Sequence, residues 1–509
     1  MTAANRRPEP VALVAVLAAI VVAGVVLRFV TTSHLWLDEA LSVEIARLPL
    51  RDIPEALRHD GHPPLYYALL HEWMRVFGDG DVAVRSLSGV FGVALLPLAW
   101  FAGRRLGGRE VAWITVALLA LSPFAVRYAT EARMYSLVMV LVVAGYLLLA
   151  RALERPSLPR LVAVSVVVGA LLLTHYWAWW LVVATVLVLL WQWRHAAGDR
   201  AQATGRVLVS VLGGGVLLLP WLPSTLTQSA HTGTPWAATV RPTTMITVSL
   251  IDIGGGEFAE GTLLGFGLLA LAALGLFGRA VDPRRIELDV RTRPEVRREA
   301  AVVVLTLVVA SVGSYATGTT FASRYVSVIF PLFVLLAAVG VTRFMGRVPR
   351  SIVLGVMLLL GVAGSGHNVV TDRAQVGVIA DAINARRQPG DVVVVCPDQL
   401  GPSTRRLLPD AYLLTYPDAG DGRRVDWYDY ERRNASADPR AFVEQTGLRA
   451  SPGRVVWLVV SDGYKTLEHQ CPALQALLGS GARSIESVVA QDGDTYYESA
   501  GLVRIVLGP

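Results

Sequence analysis

The chain has 509 residues, 53% hydrophobic and 17% charged, with a mean hydropathy of +0.50, whereas soluble domains carry nearer a quarter charged residues. That balance excludes a soluble globular protein and fits an integral membrane one. The net charge of +6 does not indicate a nucleic-acid partner, because the basic residues recur in clusters between apolar runs and do not gather into one patch.

Crossing a bilayer takes about 20 apolar residues, and such runs lie near 11–30, 84–103, 110–127, 136–152, 160–175, 178–193, 206–223, 261–278, 300–317, 325–342 and 351–368, about eleven in all. The first, Val11 to Val30, is too long for a signal-peptide core and has no small-x-small cleavage site followed by polar sequence, so it reads as a retained span. Alternate junctions are rich in arginine: Arg6 and Arg7; Arg104, Arg105 and Arg109; Arg151, Arg155 and Arg160; Arg194, Arg200 and Arg206; Arg279 to Arg298; Arg343, Arg347 and Arg350. The positive-inside rule puts these, and the N-terminus, in the cytoplasm. The junctions 31–83, 128–135, 174–177, 224–260 and 318–324, and the tail from about 370, then lie outside. Arginine supplies 45 of the 46 basic residues and Lys465 is the sole lysine, which reads as genome composition more than selection for guanidinium chemistry.

The first outer loop carries Leu37-Asp38-Glu39. Charge at a hydrocarbon boundary is costly and calls for a charged partner, water or a chemical task; the plainer reading is that either acid caps a helix from Ala40 to Arg47. Pro54 opens a short helix, and Pro64 starts an amphipathic one through Leu65, Leu69, Trp73 and Val76 that Gly78 ends. His62 precedes Pro63-Pro64, and Arg85 lies just inside the second span. In the next outer junction, Glu131 is four residues from Arg127 and two from Arg133, either as a local ion pair or as an acceptor-orienting carboxylate beside a phosphate-binding arginine. Tyr135 follows. His175-Tyr176-Trp177 occupies a very short outer turn, where an aromatic belt explains the tryptophans. Segment 224–260, with its Pro, Thr, Trp and Gly254-Gly255-Gly256, reads as a mobile loop over a site. Arg324-Tyr325 stands at the outer start of the tenth span, where an arginine commonly snorkels.

From Asp372 the composition changes. A helix over 374–387, the run Val392 to Val395, a Leu-rich helix, the run Val455 to Val460 and a further helix predict a small α/β layer. Cys396 and Cys471 are the only cysteines; a disulfide and two buried thiols are both consistent with them, and two ligands are too few for a zinc site. The chain has no Gly-x-x-x-x-Gly-Lys-Ser/Thr loop and no His-Glu-x-x-His pair. Asn434-Ala435-Ser436 fits a glycosylation triplet, a pattern frequent by chance.

In order and on one membrane face, Asp38-Glu39, His62-Pro63-Pro64, Arg85, Tyr128 to Tyr135 and Phe321-Ala322-Ser323-Arg324-Tyr325 with Pro331 resemble the GT-C membrane glycosyltransferases of the protein mannosyltransferase and aminoarabinose transferase family. The resemblance covers roughly residues 30–345 and is strongest over 36–150. With the spans, it implies a mainly α, polytopic helix bundle over 1–370 with outer-face loop helices, followed by a small extracytoplasmic α/β domain over 371–509. It implies inverting transfer of a sugar from a polyprenyl-phosphate donor to an envelope glycan, lipid or protein acceptor. Asp38 is expected as general base, with Glu39 and Glu131 as the other catalytic carboxylates. His62, Arg85, Arg127, Arg133, Tyr135, His175, Arg324 and Tyr325 are expected to bind donor or acceptor. A divalent metal between Asp38 and Glu131 is left open, since two carboxylates do not decide it. Leu65-Tyr66-Tyr67 follows His-Pro-Pro in place of the Gly-Lys of many eukaryotic protein mannosyltransferases, and no embedded trefoil is evident, so protein mannosylation specifically is not implied. The rival reading is a multi-spanning transporter or flippase, against which stand charges grouped on the outer face and no inverted repeat. A third is a scaffold whose outer tail binds an envelope partner.

Overall fold

The computed structural model describes residues 11–232, 241–317, 321–450 and 453–508. Arg6 and Arg7, the 233–240 part of the second long outer segment, and residues 318–320 lie outside the described residues. Helix α1 (Val11–Leu27) leads into three helices at one end of the bundle, α2 (Leu37–Ala46), α3 (Ile53–Asp60) and α4 (Leu65–Phe77). The bundle continues with α5 (Asp81–Ala120), α6 (Pro123–Ala129), α7 (Tyr135–Glu154), α8 (Leu158–Leu172), α9 (Ala178–His195) and α10 (Gly198–Gly214). After a 3-10 turn come α11 (Leu222–His231), α12 (Pro242–Gly254), α13 (Ala259–Phe277), α14 (Arg297–Thr317), α15 (Phe330–Thr342) and α16 (Arg347–Val370). Helix now occupies each of the eleven apolar runs, and the chain is a multi-pass membrane protein; in hydrocarbon only an internally hydrogen-bonded backbone is tolerated.

Two expectations are corrected. The run 110–127 is not one span, because α5 stops at Ala120 and the Ser122 hydroxyl accepts the Ala125 N–H (3.2 Å) to start α6, with Pro123 in its first turn. Most of the described part of 224–260 is helical instead of a loop, in α11 and α12, each with a proline in its first turn, Pro223 and Pro242. Within α5 the chain turns back at Gly107-Gly108, where Gly108 has φ +80°, a left-handed conformation that costs a side-chain-free residue little. Helices α13 and α15 touch backbone to backbone: a Cβ on Gly340 would lie 1.8 Å from the Leu271 carbonyl oxygen, and one on Gly275 2.3 Å from that of Leu336. Small residues permit such contact where hydrophobic driving force between helices is absent.

The tail forms a five-stranded sheet. Strands β1 (Gly278–Asp282) and β2 (Arg285–Leu288) make a separate hairpin between α13 and α14. In the tail, β3 (Val392–Cys396), β4 (Leu413–Thr415), β5 (Val455–Val460), β6 (Ser484–Val489) and β7 (Gly501–Val506) run in the order β4-β3-β5-β7-β6. The first three are parallel; β7 is antiparallel to both β5 and β6. Val393, Val395, Trp457 and Leu502 face α17 (Val376–Arg386), while Val394, Leu458 and Ile505 face α20 (Pro439–Gln445) and α21 (Gln470–Gly479); α18 (Gly401–Leu407) and α19 (Tyr430–Ala435) complete the helices. Cys396 and Cys471 form a disulfide between the end of β3 and α21, which settles the alternatives the sequence left open.

Candidate functional site

Neighbouring residues on a helix point about 100° apart, and α2 uses this to separate its two acids. Glu39 turns inward and is fully buried (0% exposed). Its Oε1 and Oε2 accept from Arg85 Nε (2.7 Å) and Nη2 (2.6 Å), and Oε1 also accepts the Ala132 N–H (2.8 Å). Arg85 completes its valence on the carbonyls of Ser33 (2.5 Å) and His34 (3.1 Å). These two residues, expected as a catalytic carboxylate and a donor ligand, are spent on each other. They pin α2 to α5 and to the 130–134 loop.

Asp38 turns the other way, into a cavity of about 440 Å³. Its Oδ2 lies 3.4 Å from Arg324 Nη2 and 3.6 Å from Arg133 Nη2. Arg133 is a hub: it donates to Ser42 Oγ (3.0 Å), the Tyr67 hydroxyl (3.3 Å) and His62 Nε2 (3.0 Å). A guanidinium only donates, so His62 Nε2 accepts and Nδ1 carries the proton, which it gives as a hydrogen bond to Asp60 Oδ2 (2.9 Å). The Tyr67 hydroxyl donates to the same oxygen (2.9 Å). An unbroken chain thus runs Asp60, His62, Arg133, Asp38. Arg324 also sits over the Trp36 ring (5.7 Å) and the Tyr325 ring (6.0 Å), contacts that fix a guanidinium's plane.

Behind this front lies a second buried group. Glu131 is 1% exposed; its Oε1 is 3.4 Å from both Arg127 Nε and Arg373 Nη1, and its buried Oε2 has no hydrogen-bond partner among the described residues. Arg373 also holds Thr130 through its carbonyl (3.1 Å) and Oγ1 (2.8 Å). Arg127 approaches Asp252 Oδ1 (3.8 Å), whose Oδ2 accepts from the Tyr128 hydroxyl (2.8 Å). His175 packs its ring between Tyr135 (5.7 Å) and Tyr325 (5.1 Å), and its Nδ1 accepts the Trp177 N–H (3.0 Å). The Tyr135 hydroxyl is buried without a hydrogen-bond partner among the described residues.

Asp38, His62, Arg133, Arg324 and Tyr325 therefore share one cavity wall, while Glu39, Arg85, Arg127, Glu131, Tyr135 and His175 stand behind it. The residues do not fit a divalent metal: each acid proposed to hold it already faces two guanidiniums, and no group of three or more His, Cys, Asp or Glu side chains is placed to bind an ion among the described residues. Sequence reasoning missed Asp60, Tyr67, Asp252 and Arg373. Asp60 was findable, since it stands two residues before His62 in an Asp-Gly-His-Pro-Pro string; the others become neighbours only through folding. It also missed that the opposite cavity wall comes from the tail, with Gln399, the Ser461 to Lys465 loop and Tyr497 to Ser499.

The family model described as dolichyl-phosphate-mannose-protein mannosyltransferase matches residues 61–218. No curated protein matches the chain. Among solved structures, ArnT from Cupriavidus metallidurans in the apo state superposes with a TM-score of 0.64 at 15% identity, covering 98% of this chain and 99% of that one. The same enzyme bound to undecaprenyl phosphate gives 0.60 at 15% identity, covering 98% and 100%. The Archaeoglobus fulgidus oligosaccharyltransferase tethered with an acceptor peptide gives 0.50 at 10% identity, covering 88% and 69%. The chain thus has the ArnT-like GT-C fold over nearly its whole length.

Proposed function

We propose that this GT-C-fold chain transfers a sugar from a polyprenyl-phosphate donor to a hydroxyl of an envelope glycan, lipid or protein acceptor, in one inverting displacement, with Asp38 as general base. The observation that carries the reading is the carboxylate of Asp38 in a cavity beside two guanidiniums, those of Arg324 and Arg133. In the displacement the acceptor oxygen bonds to the anomeric carbon, the bond from that carbon to the phosphate oxygen breaks, and the acceptor proton passes to Asp38. The departing polyprenyl phosphate keeps the electron pair, and Arg133 and Arg324 stabilise its charge. An anion arriving there competes with Asp38 for the guanidiniums and frees the carboxylate for the proton. Positioning and charge stabilisation supply most of the acceleration, because phosphate is already a good leaving group. The match to the mannosyltransferase model and the undecaprenyl-phosphate-bound ArnT relative support a lipid-phosphate donor. By the arginine distribution the site faces outside, with the N-terminus in the cytoplasm and the tail extracytoplasmic.

The test is transfer of labelled sugar from polyprenyl-phosphate donors, comparing wild-type membranes with Asp38→Asn at equal protein level. Loss of about a hundredfold or more, the range of a general base, with donor binding kept, is the expected result. Undiminished transfer removes Asp38 from the mechanism, and no transfer by the wild type with any donor favours a transporter.

A further inference from the structure

Helix α2 begins without a cap of its own: Trp36 in the capping position makes no side-chain hydrogen bond to it. The first N–H groups of a helix have no intrahelical partner and must find one elsewhere when buried. For Leu37, the first residue of α2, that partner comes from 461 residues away: Glu498 Oε2 accepts the Leu37 N–H at 2.6 Å in a buried contact. The next residue is Asp38. The other oxygen, Oε1, accepts from Ser403 Oγ of α18 at 2.6 Å.

Glu498 is itself held at the seam where the bundle meets the tail. Its N–H donates to the Arg373 carbonyl (2.7 Å) and its carbonyl accepts from Gln375 (2.9 Å), the segment that leaves α16. Tyr497, alongside, meets Trp36 edge-on at 5.3 Å. Arg373 holds Thr130 and Glu131 from the same seam. Both segments that carry the site's acids, 37–39 and 130–131, are thereby tied to the point where the tail docks.

We infer that Glu498 is a positioning residue for the transfer chemistry: it caps the helix bearing Asp38 from the far end of the chain, so that a competent site requires the docked tail. The inference rests on the proposed transferase activity. An ionised carboxylate is the stronger acceptor and suits a helix N-terminus. Burial raises the Glu498 carboxyl to about 7, partly offset by Ser403 and Leu37 and reinforced by Asp38 and Glu39. The charged and titratable groups around it are Asp38 and Glu39 of α2, Tyr464 and Tyr497 of the tail, Arg373 of the seam, and Arg133 and Arg324 across the cavity. As pH falls through about 7 a proton takes one oxygen, the grip on Leu37 loosens, and transfer declines.

The experiment compares the full-length wild type with Glu498→Ala, Glu498→Gln and Ser403→Ala in transfer assays across pH 5.5 to 8.5, a range of about 1.5 either side of neutrality chosen to span the titration, together with amide exchange at Leu37 to Ala40. Glu498→Ala is expected to lower kcat by about ten- to a hundredfold, the cost of a misplaced catalytic group, with donor KM held and exchange at α2 accelerated. Glu498→Gln offers Leu37 and Ser403 the same neutral acceptor and donor as the protonated acid, so it should hold transfer at the wild type's low-pH level across the whole range and lose the titration near neutrality. Ser403→Ala should shift that limb. A Glu498→Ala protein with normal kcat and exchange, from a wild type that transfers sugar, overturns this inference and leaves the transferase reading intact. A Glu498→Ala protein that merely melts earlier, while Glu498→Gln keeps the wild-type pH profile, shows a structural role only and overturns it too. No transfer by the wild type overturns both.

Discussion

Removing one member of the Glu39–Arg85 pair should destabilise the bundle far more than removing both. The two side chains are 0% and 6% exposed, and Glu39 accepts three hydrogen bonds, two of them from Arg85. Arg85→Leu strips those two and leaves a buried carboxylate with the Ala132 N–H alone. An uncompensated buried charge of this kind costs about 3–5 kcal/mol, whereas an apolar pair of similar volume is often neutral. Glu39→Leu alone leaves the guanidinium on two carbonyls and should cost a similar amount. The double variant Glu39→Leu with Arg85→Leu should recover most of the loss, so the coupling energy should be at least about 3 kcal/mol, the cost of one single variant. The assay is equilibrium unfolding of the purified protein in a mild detergent titrated with a denaturing one, followed by tryptophan fluorescence. If each single variant costs under about 1 kcal/mol, as exposed pairs do, or if the double costs the sum of the singles, the pair is not what holds α2 against α5.

Other consequences are open to direct measurement. Arg133→Lys cannot serve His62, Tyr67, Ser42 and Asp38 together; losing one charge-assisted hydrogen bond, worth roughly 1.5–3 kcal/mol, should cut transfer about ten- to a hundredfold, and normal kcat/KM would refute the hub. The buried Asp398 carboxyl is pushed up to about 7 by burial, against the lowering effect of the Tyr430 hydroxyl it accepts from. A raised carboxyl favours the protonated folded form, so its contribution is full below the unfolded value near 4 and lost as pH rises through about 7. Asp398→Asn should flatten that fall in tail stability measured by denaturant midpoint against pH, and an unchanged slope would count against it. Reducing the Cys396–Cys471 disulfide, which closes a loop of 75 residues, should cost the tail up to about 4 kcal/mol, seen as earlier proteolysis of the tail with reductant. Gly340→Ala puts a methyl into the Leu271 carbonyl and should cost about 1–3 kcal/mol, the range for overpacking; a wild-type unfolding midpoint would show that α13 and α15 yield freely.

The spans were legible in the sequence because a bilayer imposes a local rule: every spanning residue is apolar for itself, whatever its neighbours in space. For the same reason the α4 helix, opened by Pro64 and closed by Gly78, and the buried strands β3 and β5 were readable. Strands β6 and β7 were not; in β6 every residue from Ser484 to Ser487 is exposed and polar residues fall on both faces, so no apolar alternation marks it. Asp38, His62, Arg133, Arg324 and Tyr325 could be singled out by type and order, and folding gathers them on one wall. The resemblance singled out Asp38 of the Asp38-Glu39 pair as the base, but that Glu39 turns inward could not be read from the residues, because it depends on the rotation of α2 set by Arg85 and Ala132. Nor could the dependence on Glu498, since hydrogen bonds across 461 residues leave no pattern along the chain. The sequence by itself determined where the chain is oily and on which junctions its charges collect, both additive properties of single residues. Only the tertiary structure decided which charges neutralise one another and which remain facing the cavity, because ion pairing falls off over a few ångströms and is settled by packing.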